Sequence, residues 1–508
     1  MTDDPQQAIL DFLGAAATHG GAKVTRIHTH AASVFLAGRR ALKVKRAVRF
    51  PFLDFSTLEK RKAACEAELR LNQPSAPAIY KRVLPVTRQA DGSLALGGDG
   101  EPVEWVVEMA RFDETATLDH LAAKGRIDAA LADRLGHAVA DAHAKAAPVH
   151  GFGFAAMLAE IVKQNDAELR ERPDLFATDE VAALTQATQA ALARVRPLLD
   201  ERERDGLVRR CHGDLHLGNI VLIDDTPVLF DAIEFDDRIA TADLLYDLAF
   251  LLMDLIERDL PAAATQVLNR YLVVVVARER DLDALAALPL FLSVRAAIRA
   301  KVTAARAAHA RDRSQAEQSA RDYFALARRL IDPPKPRLVA VGGLSGSGKS
   351  VLARALAACV PPPPGAVVLR SDVERKTMFG VGETEKLPQQ AYTMAVTDRV
   401  YATLAAKARR VLAAGHSAIV DAVFARASER AAIAQAAQGA SFRGLFLTAD
   451  LATRVERVGA READASDANA EVARQQEHYD LGALAWAQVD ASGTPEDTLA
   501  RARTALAG

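Results

Sequence analysis

Cysteine is scarce in this chain and stands isolated: Cys65, Cys211 and Cys359 are the only three. An odd count without close spacing builds neither a disulfide framework nor a zinc site, so all three are read as buried fillers. An excess of either charge is lacking too. The 64 lysines and arginines nearly balance the 66 acidic residues, for a formal net charge of -2. Without a Lys/Arg-rich tract there is no basic field of the kind a nucleic-acid partner requires. No apolar run approaches the length of a membrane span. The opening MTDDPQQ is acidic and polar where a secretory signal is basic and then apolar. The expectation is a globular, cytoplasmic protein without membrane contacts. At 508 residues the chain exceeds one ordinary core, and two or three domains are expected.

What the chain does contain is concentrated in two stretches. Residues 343–350 read GLSGSGKS, a P-loop of the form G-x-x-x-x-G-K-[ST], preceded by an apolar strand-like run and followed by helix-forming residues. Gly343, Gly346 and Gly348 let the backbone turn so that its N–H groups, those of Ser345 and Ser347 included, face phosphate oxygens. Lys349 is expected to reach the β- and γ-phosphates of ATP, and Ser350 to ligate Mg2+. Beyond the P-loop, apolar runs at 366–369, 417–420, 444–447 and 488–490 alternate with long helical segments, which predicts an α/β domain with a parallel sheet. Residues at the carboxyl ends of such strands gather in the binding crevice. Asp372 is therefore read as the base that receives the acceptor's proton, and Asp421 as the metal-side, Walker-B-like carboxylate. Arg454, Arg457 and Arg461, three and four apart, share a helix face and are read as a lid that stabilises the transferring phosphate. The DASDA run, 464–468, would hinge that lid or pair with it.

The second stretch lies earlier. Strand-like runs at 33–36 and 41–44 flank a turn at Gly38, and a helix is expected over 56–72 with Ser56 or Thr57 as its cap. A hairpin at 82–87 and 94–96 turns at Asp91-Gly92, and another strand follows at 104–109. After an alanine-rich helical region to about residue 199 and a strand at 208–211 comes HGDLHLGN, 212–219. A carboxylate that accepts a hydroxyl proton and an amide that holds a metal stand five residues apart there, at Asp214 and Asn219. Asp231 ends the next apolar run. Oxygen donors suited to a hard cation thus fall within one loop-strand-turn unit.

These residues carry a resemblance. The segment 24–331 resembles the aminoglycoside phosphotransferase and choline kinase group, which shares the α+β protein-kinase architecture. The resemblance implies that Asp214 is the catalytic base and that Asn219 and Asp231 are Mg2+ ligands. It further implies that Lys43, in RALKVK, pairs with the nucleotide phosphates and that Glu68, in ACEAELRLN, positions it. Lys45 and Glu66 are alternatives for those two roles, since residues two apart on a strand share a face. No G-x-G-x-x-G precedes the lysine strand, so phosphate cover is assigned to Ser33 and backbone N–H groups, and Asp231-Ala232-Ile233 replaces Asp-Phe-Gly. Asp247 is read either as a brace of the catalytic loop or as a cap. Glu234, Asp236 and Asp237 are either a cationic acceptor site or a solvated turn.

The segment 338–508 resembles the P-loop small-molecule kinases that include gluconate kinase, adenylate kinase and zeta-toxin-like proteins, through the P-loop, VVLRSDVERK and the arginine face. The combined order resembles a bacterial family of fused kinases. A stiff linker, IDPPKPR, is expected to separate them, giving domains 1–331 and 338–508 joined by 332–337. The expected function is a bifunctional, ATP- and Mg2+-dependent phosphotransferase acting on hydroxyls of small molecules of sugar or amino-sugar type. The alternative is a sensor whose first domain binds ligand without chemistry and regulates the P-loop domain.

Overall fold

The computed structural model describes residues 6–507 except 30, 51–52, 276–279, 309, 311 and 461–463. Packing divides the chain into two units, Met1–Met157 with Leu199–Asp254, and Leu158–Leu198 with Leu255–Gly508. The prolines of the expected linker do interrupt regular structure: residues 333–336 run as coil between the helix Arg313–Ile331 and the strand Arg337–Gly343.

The first unit is built on a six-stranded antiparallel sheet in the order Val24–His28, Ala32–Ala37, Arg40–Lys45, Glu101–Ala110, Tyr80–Arg88, Leu94–Leu96. Alternation along Arg40–Lys45 divides its two faces. Leu42 and Val44 join Leu10, Leu13, Phe35, Val86 and Val106 in one apolar cluster, to which the helix Gln7–Gly14 contributes. Lys43 and Lys45 therefore point to the other face, where the helix Leu58–Asn72 lies and Cys65, Tyr80 and Val107 form a second cluster. Thr57 caps that helix, its hydroxyl accepting from the Lys60 N–H. Beyond the sheet, the strand Val208–Arg210 pairs with Thr241–Asp243, and the hairpin Ile220–Ile223 with Thr226–Leu229. The HGDLHLGN loop runs between these two pairs. The helix Gln7–Gly14 and the strand Val24–His28 are elements that the sequence reading did not anticipate.

The second unit contains a five-stranded parallel sheet, ordered Val367–Arg370, Ala418–Asp421, Arg337–Gly343, Ser441–Thr448, Ala487–Asp490. Its central strands are covered on both faces, which is why they read as unbroken apolar runs. Val339, Val341, Ile419, Leu445 and Leu447 pack with Leu352 and Leu356 of the helix Lys349–Ala357. The helix Pro261–Val275 seals the edge strand: the Asn269 side chain accepts from Val368 N at 2.7 Å and donates to Ala366 O at 3.0 Å. Thr265 Oγ1 donates to Pro364 O at 2.6 Å.

Two of the three cysteines are buried, but Cys359 is exposed. It follows the end of the helix Lys349–Ala357, where the apolar face has already turned into the core through Leu352 and Leu356. Among the described residues, no helix is long and apolar enough to cross a membrane.

His416 is buried and its Nε2 donates to Gly365 O at 2.7 Å. Burial lowers its pKa from the ordinary 6.5 to about 4. The fold therefore favours the neutral ring, so its contribution is complete above the unfolded-state value and is lost as pH falls from 6.5 toward 4. Acidification from about pH 7.5 to pH 5 is expected to cost on the order of 2 kcal/mol through this group. Chemical unfolding at the two pH values should show that loss in the wild type and a smaller one in His416→Gln.

Candidate active sites

In the first unit, charge is organised around Glu68, a carboxylate with no solvent exposure. Lys43 Nζ lies 2.7 Å from Glu68 Oε1 and 2.6 Å from Asp231 Oδ1. Lys45 Nζ lies 2.6 Å from Glu68 Oε2 and also pairs with Glu234. Burial opposes charge on Lys43, but Asp231 and Glu68 outweigh it and leave the ammonium well above the ordinary lysine range. Burial likewise opposes charge on Glu68, and Lys43 and Lys45 hold it ionised below the usual carboxylate range. The open choice between neighbours resolves unevenly. Glu66 is exposed and faces Lys62, so Glu68 is the helix carboxylate, whereas both lysines reach it.

The catalytic-loop candidates sit on a backbone held by buried carboxylates. Asp247 accepts from Gly213 N at 2.9 Å and His212 N at 3.3 Å, and meets His143 Nε2 at 3.2 Å. Asp254, on the same helix Leu244–Glu257, accepts from Leu217 N at 2.9 Å. Asn219 Nδ2 then donates to Asp214 O at 3.0 Å and to Asp214 Oδ2 at 3.1 Å, bringing the two predicted residues into contact. The Asp214 side chain remains 41% exposed and accessible. His212 is held neutral by burial, which lowers its pKa, and donates from Nε2 to Phe230 O at 2.9 Å.

Asp231 has a φ of 61°, in the left-handed region that is uncommon outside glycine but that aspartate enters more readily than most residues. Two contacts fix it there. Its N–H donates to Tyr80 Oη at 3.1 Å, and that of Ala232 to Asn72 Oδ1 at 2.8 Å. The acidic run beyond it is dispersed by the fold: Glu234 turns in to Lys45, Asp236 caps the helix Asp237–Ala240, and Asp237 pairs with Arg210 at 2.8 Å. Ser33 is buried with its hydroxyl on His28, so its side chain is already engaged.

In the second unit, Ser350 Oγ donates to Asp421 Oδ2 at 2.6 Å, joining the last P-loop residue to the end of the strand Ala418–Asp421. Lys349 Nζ donates to Leu344 O at 3.0 Å, curling over the loop. Asp372 opens the helix Ser371–Met378. Burial raises its pKa above the ordinary carboxylate value, and the nearby Asp421 adds to the shift, while Arg370 and Lys349 oppose it. Gly346 has a φ of 85°, and a Cβ there would fall 2.3 Å from Arg454 O, so the loop tolerates no side chain at this point.

The arginine face is distributed differently from a lid. Arg454 is buried; Nε donates to Ser345 O at 3.0 Å, another nitrogen to Ala473 O at 2.7 Å, and it pairs with Glu477. Arg454 thus packs on the P-loop backbone and is covered by protein instead of solvent. Arg457 donates to Ala491 O at 2.7 Å and Gly493 O at 3.0 Å, beside Gly348. Arg461 lies outside the described residues. Ser345 N, expected to face phosphate, donates to Gln476 Oε1 at 2.6 Å, a contact across 131 residues without a local signal. In the DASDA run, Asp464 meets Arg370 at 3.3 Å, and Asp467 accepts from Leu387 N at 2.9 Å and Tyr392 Oη at 2.6 Å.

Residues 52–288 match the phosphotransferase enzyme family, and residues 338–480 match an AAA domain. Over 488 residues the chain is 30% identical to the uncharacterized protein Rv2004c of Mycobacterium tuberculosis, covering 93% of each chain. The same figures hold for the uncharacterized protein Mb2027c of Mycobacterium bovis. The chain belongs to their family. This two-domain family member carries an aminoglycoside-phosphotransferase-like, protein-kinase-like domain followed by a P-loop kinase domain, and it is an enzyme of the kinase type. A gluconokinase from Sinorhizobium meliloti is a structural neighbour at 22% identity, covering 34% of this chain and 92% of its own, with a TM-score of 0.25. A choline/ethanolamine kinase family protein from Mesorhizobium loti is another, at 15% identity over 64% and 99%, with a TM-score of 0.39.

Asp247→Asn removes one of the oxygens that hold the loop amides. The expected cost is about 1–3 kcal/mol, as for a buried donor left without its acceptor. Denaturant unfolding should register it, and hydrogen exchange at His212 and Gly213 should accelerate.

Proposed function

We propose that this enzyme has two ATP sites and that each transfers the γ-phosphoryl group to a hydroxyl of a small-molecule acceptor, of sugar or amino-sugar type. The observation that carries the reading is that each fold brings a lysine, a carboxylate and a second oxygen donor into one cluster. In the first domain, Lys43 and Asp231 are in contact, and the Asp214–Asn219 pair is tied to the same segment through Asn219 O, which accepts from Phe230 N. In the second, Ser350 and Asp421 are in contact beside the P-loop lysine and Asp372.

Lys43 would bind nucleotide phosphate oxygens in competition with Asp231, Glu68 keeping its ammonium aimed and charged. Asp214, exposed and oriented by Asn219, would take the hydroxyl proton as the acceptor oxygen attacks. In the second domain Lys349 would leave the Leu344 carbonyl for the β- and γ-phosphates. Asp372, with its raised pKa, would serve as base, and Arg457 with Arg461 would supply positive charge near the transferring group. The donor sets consist of carboxylate, amide and hydroxyl oxygens, which fit Mg2+. Asn219 and Asp231 would hold it in one site, Ser350 and Asp421 in the other. When bound, Mg2+ neutralises phosphate charge and aligns the γ-phosphoryl group. The sugar or amino-sugar assignment rests on the group that the first domain resembles.

Transfer of label from ATP into a small-molecule extract and an aminoglycoside panel tests this. Two labelled products are expected, one falling at least about a hundredfold in Asp214→Ala and the other in Lys349→Ala, the scale of a lost general base or phosphate anchor. If Asp214→Ala changes nothing while Lys349→Ala abolishes all transfer, the first domain is a ligand sensor and the two-site reading fails.

A further inference from the structure

Arg370 ends the edge strand Val367–Arg370, and its buried guanidinium lies among the oxygens assigned above to the P-loop metal. Nη2 is 3.2 Å from Ser350 Oγ and 3.3 Å from Asp464 Oδ1; Nε is 3.4 Å from Asp421 Oδ2; Nη1 is 3.7 Å from Glu383 Oε1. Nε makes no hydrogen bond, so the group is held loosely by several acceptors and tightly by none. Glu383 is shared. Its other oxygen, Oε2, takes Arg270 Nη1 at 2.7 Å. Arg270 stands on the helix Pro261–Val275, which Asn269 and Thr265 tie to the same edge strand. A cavity of about 60 Å³ opens between them, lined by Asn269, Arg270, Arg354, Val368, Arg370 and Glu383.

We propose that Arg370 is a positioning residue that acts as a built-in competitor for the divalent cation of the P-loop site, and that Arg270 sets how firmly it competes. The inference rests on the assignment of Ser350 and Asp421 to the metal side. The guanidinium has a metal-side seat, made by Asp421 with Ser350 and Asp464, and an outer seat at Glu383. A divalent cation that draws Ser350 and Asp421 to itself drives Arg370 toward Glu383 and the cavity. Arg270 resists the move twice over, because it already occupies one Glu383 oxygen and because it carries like charge. The helix Pro261–Val275 falls within the sequence segment that matches the phosphotransferase family yet packs in the same unit as the P-loop, so residues of that segment tune cation binding there.

The signs follow. Arg270→Ala frees Glu383, eases the departure of Arg370 and should tighten Mn2+ binding. Glu383→Gln strands Arg370 on Asp421 and should weaken it. A change of about three- to tenfold each way corresponds to the coupling usual for charged neighbours. A general field effect has the same signs, so the decisive comparison repeats both substitutions in Arg370→Met, which keeps the apolar stem and removes the competitor. Mn2+ binding is read by electron paramagnetic resonance on the full chain with a non-hydrolysable ATP analogue, with Asp231→Asn present throughout to suppress the other site. The expected result is that Arg370→Met binds Mn2+ more tightly and that both further substitutions lose their effect in it. Equal effects with and without Arg370 overturn the proposal. If Asp421→Asn leaves Mn2+ affinity unchanged, the metal-side assignment itself fails. Should Arg370→Met not fold, Arg370→Lys takes its place, and there the two effects must shrink.

Discussion

A carboxylate removed from water must be paired or the fold cannot keep it ionised, and Glu68 meets that requirement with two lysines at once. Three distant parts of the chain are fixed by this one group. The strand Arg40–Lys45 supplies the ammonium groups, the helix Leu58–Asn72 supplies the carboxylate, and residues 231–234 supply the outer carboxylates that complete the alternation of charge. Removing any inner member would leave a buried charge without its partner, which in such networks costs several kcal/mol. The same requirement explains why Lys43 and Lys45 both belong to the arrangement. A single lysine would leave one oxygen of Glu68 facing an apolar surround.

The loop that follows the central strand pair obeys the backbone version of that rule. Its amides are buried, so they need acceptors, and Asp247 and Asp254 on one apolar helix provide them one turn of chain at a time. Asp214 can then face solvent without being loose, because the buried Asn219 and the amides fixed beneath it supply the rigidity. In the P-loop the corresponding support comes from outside the loop, through the guanidinium of Arg454 on Ser345 O and the amide of Gln476 on Ser345 N.

How much of this could be read from the sequence depended on distance along the chain. The P-loop, HGDLHLGN, the Thr57 cap and the alternation of strands with helices are local patterns, and each reports on itself. Asp372 and Asp421 were legible because strand ends converge in any parallel α/β sheet. Lys43 could not be told from Lys45, since period-two alternation places both on one face and Glu68 accepts both. Periodicity identified the face shared by Arg454 and Arg457 but could not say that protein rather than solvent covers Arg454. Gln476, Asn269, Tyr80 and Asn72 act through side-chain contacts to remote backbone, and such contacts leave no trace in spacing or composition. Cys359 was misread for a simpler reason: scarcity suggests burial, but Cys359 lies just past a helix whose buried face ends in Leu356 and Ala357, and it points the other way.

The amide of Asn269 mimics one residue of an additional strand, accepting from Val368 N and donating to Ala366 O on the open edge of the parallel sheet. An uncovered edge is a template for pairing with other chains. The kinase domain that begins at the strand Arg337–Gly343 therefore does not contain its own edge protection, which is encoded some 70 residues upstream within the segment matching the other family. Separation of the two halves, by proteolysis or by gene fission, would expose an adhesive surface before it affected any catalytic group. Solubility alone gives the two sequences a reason to have remained one polypeptide.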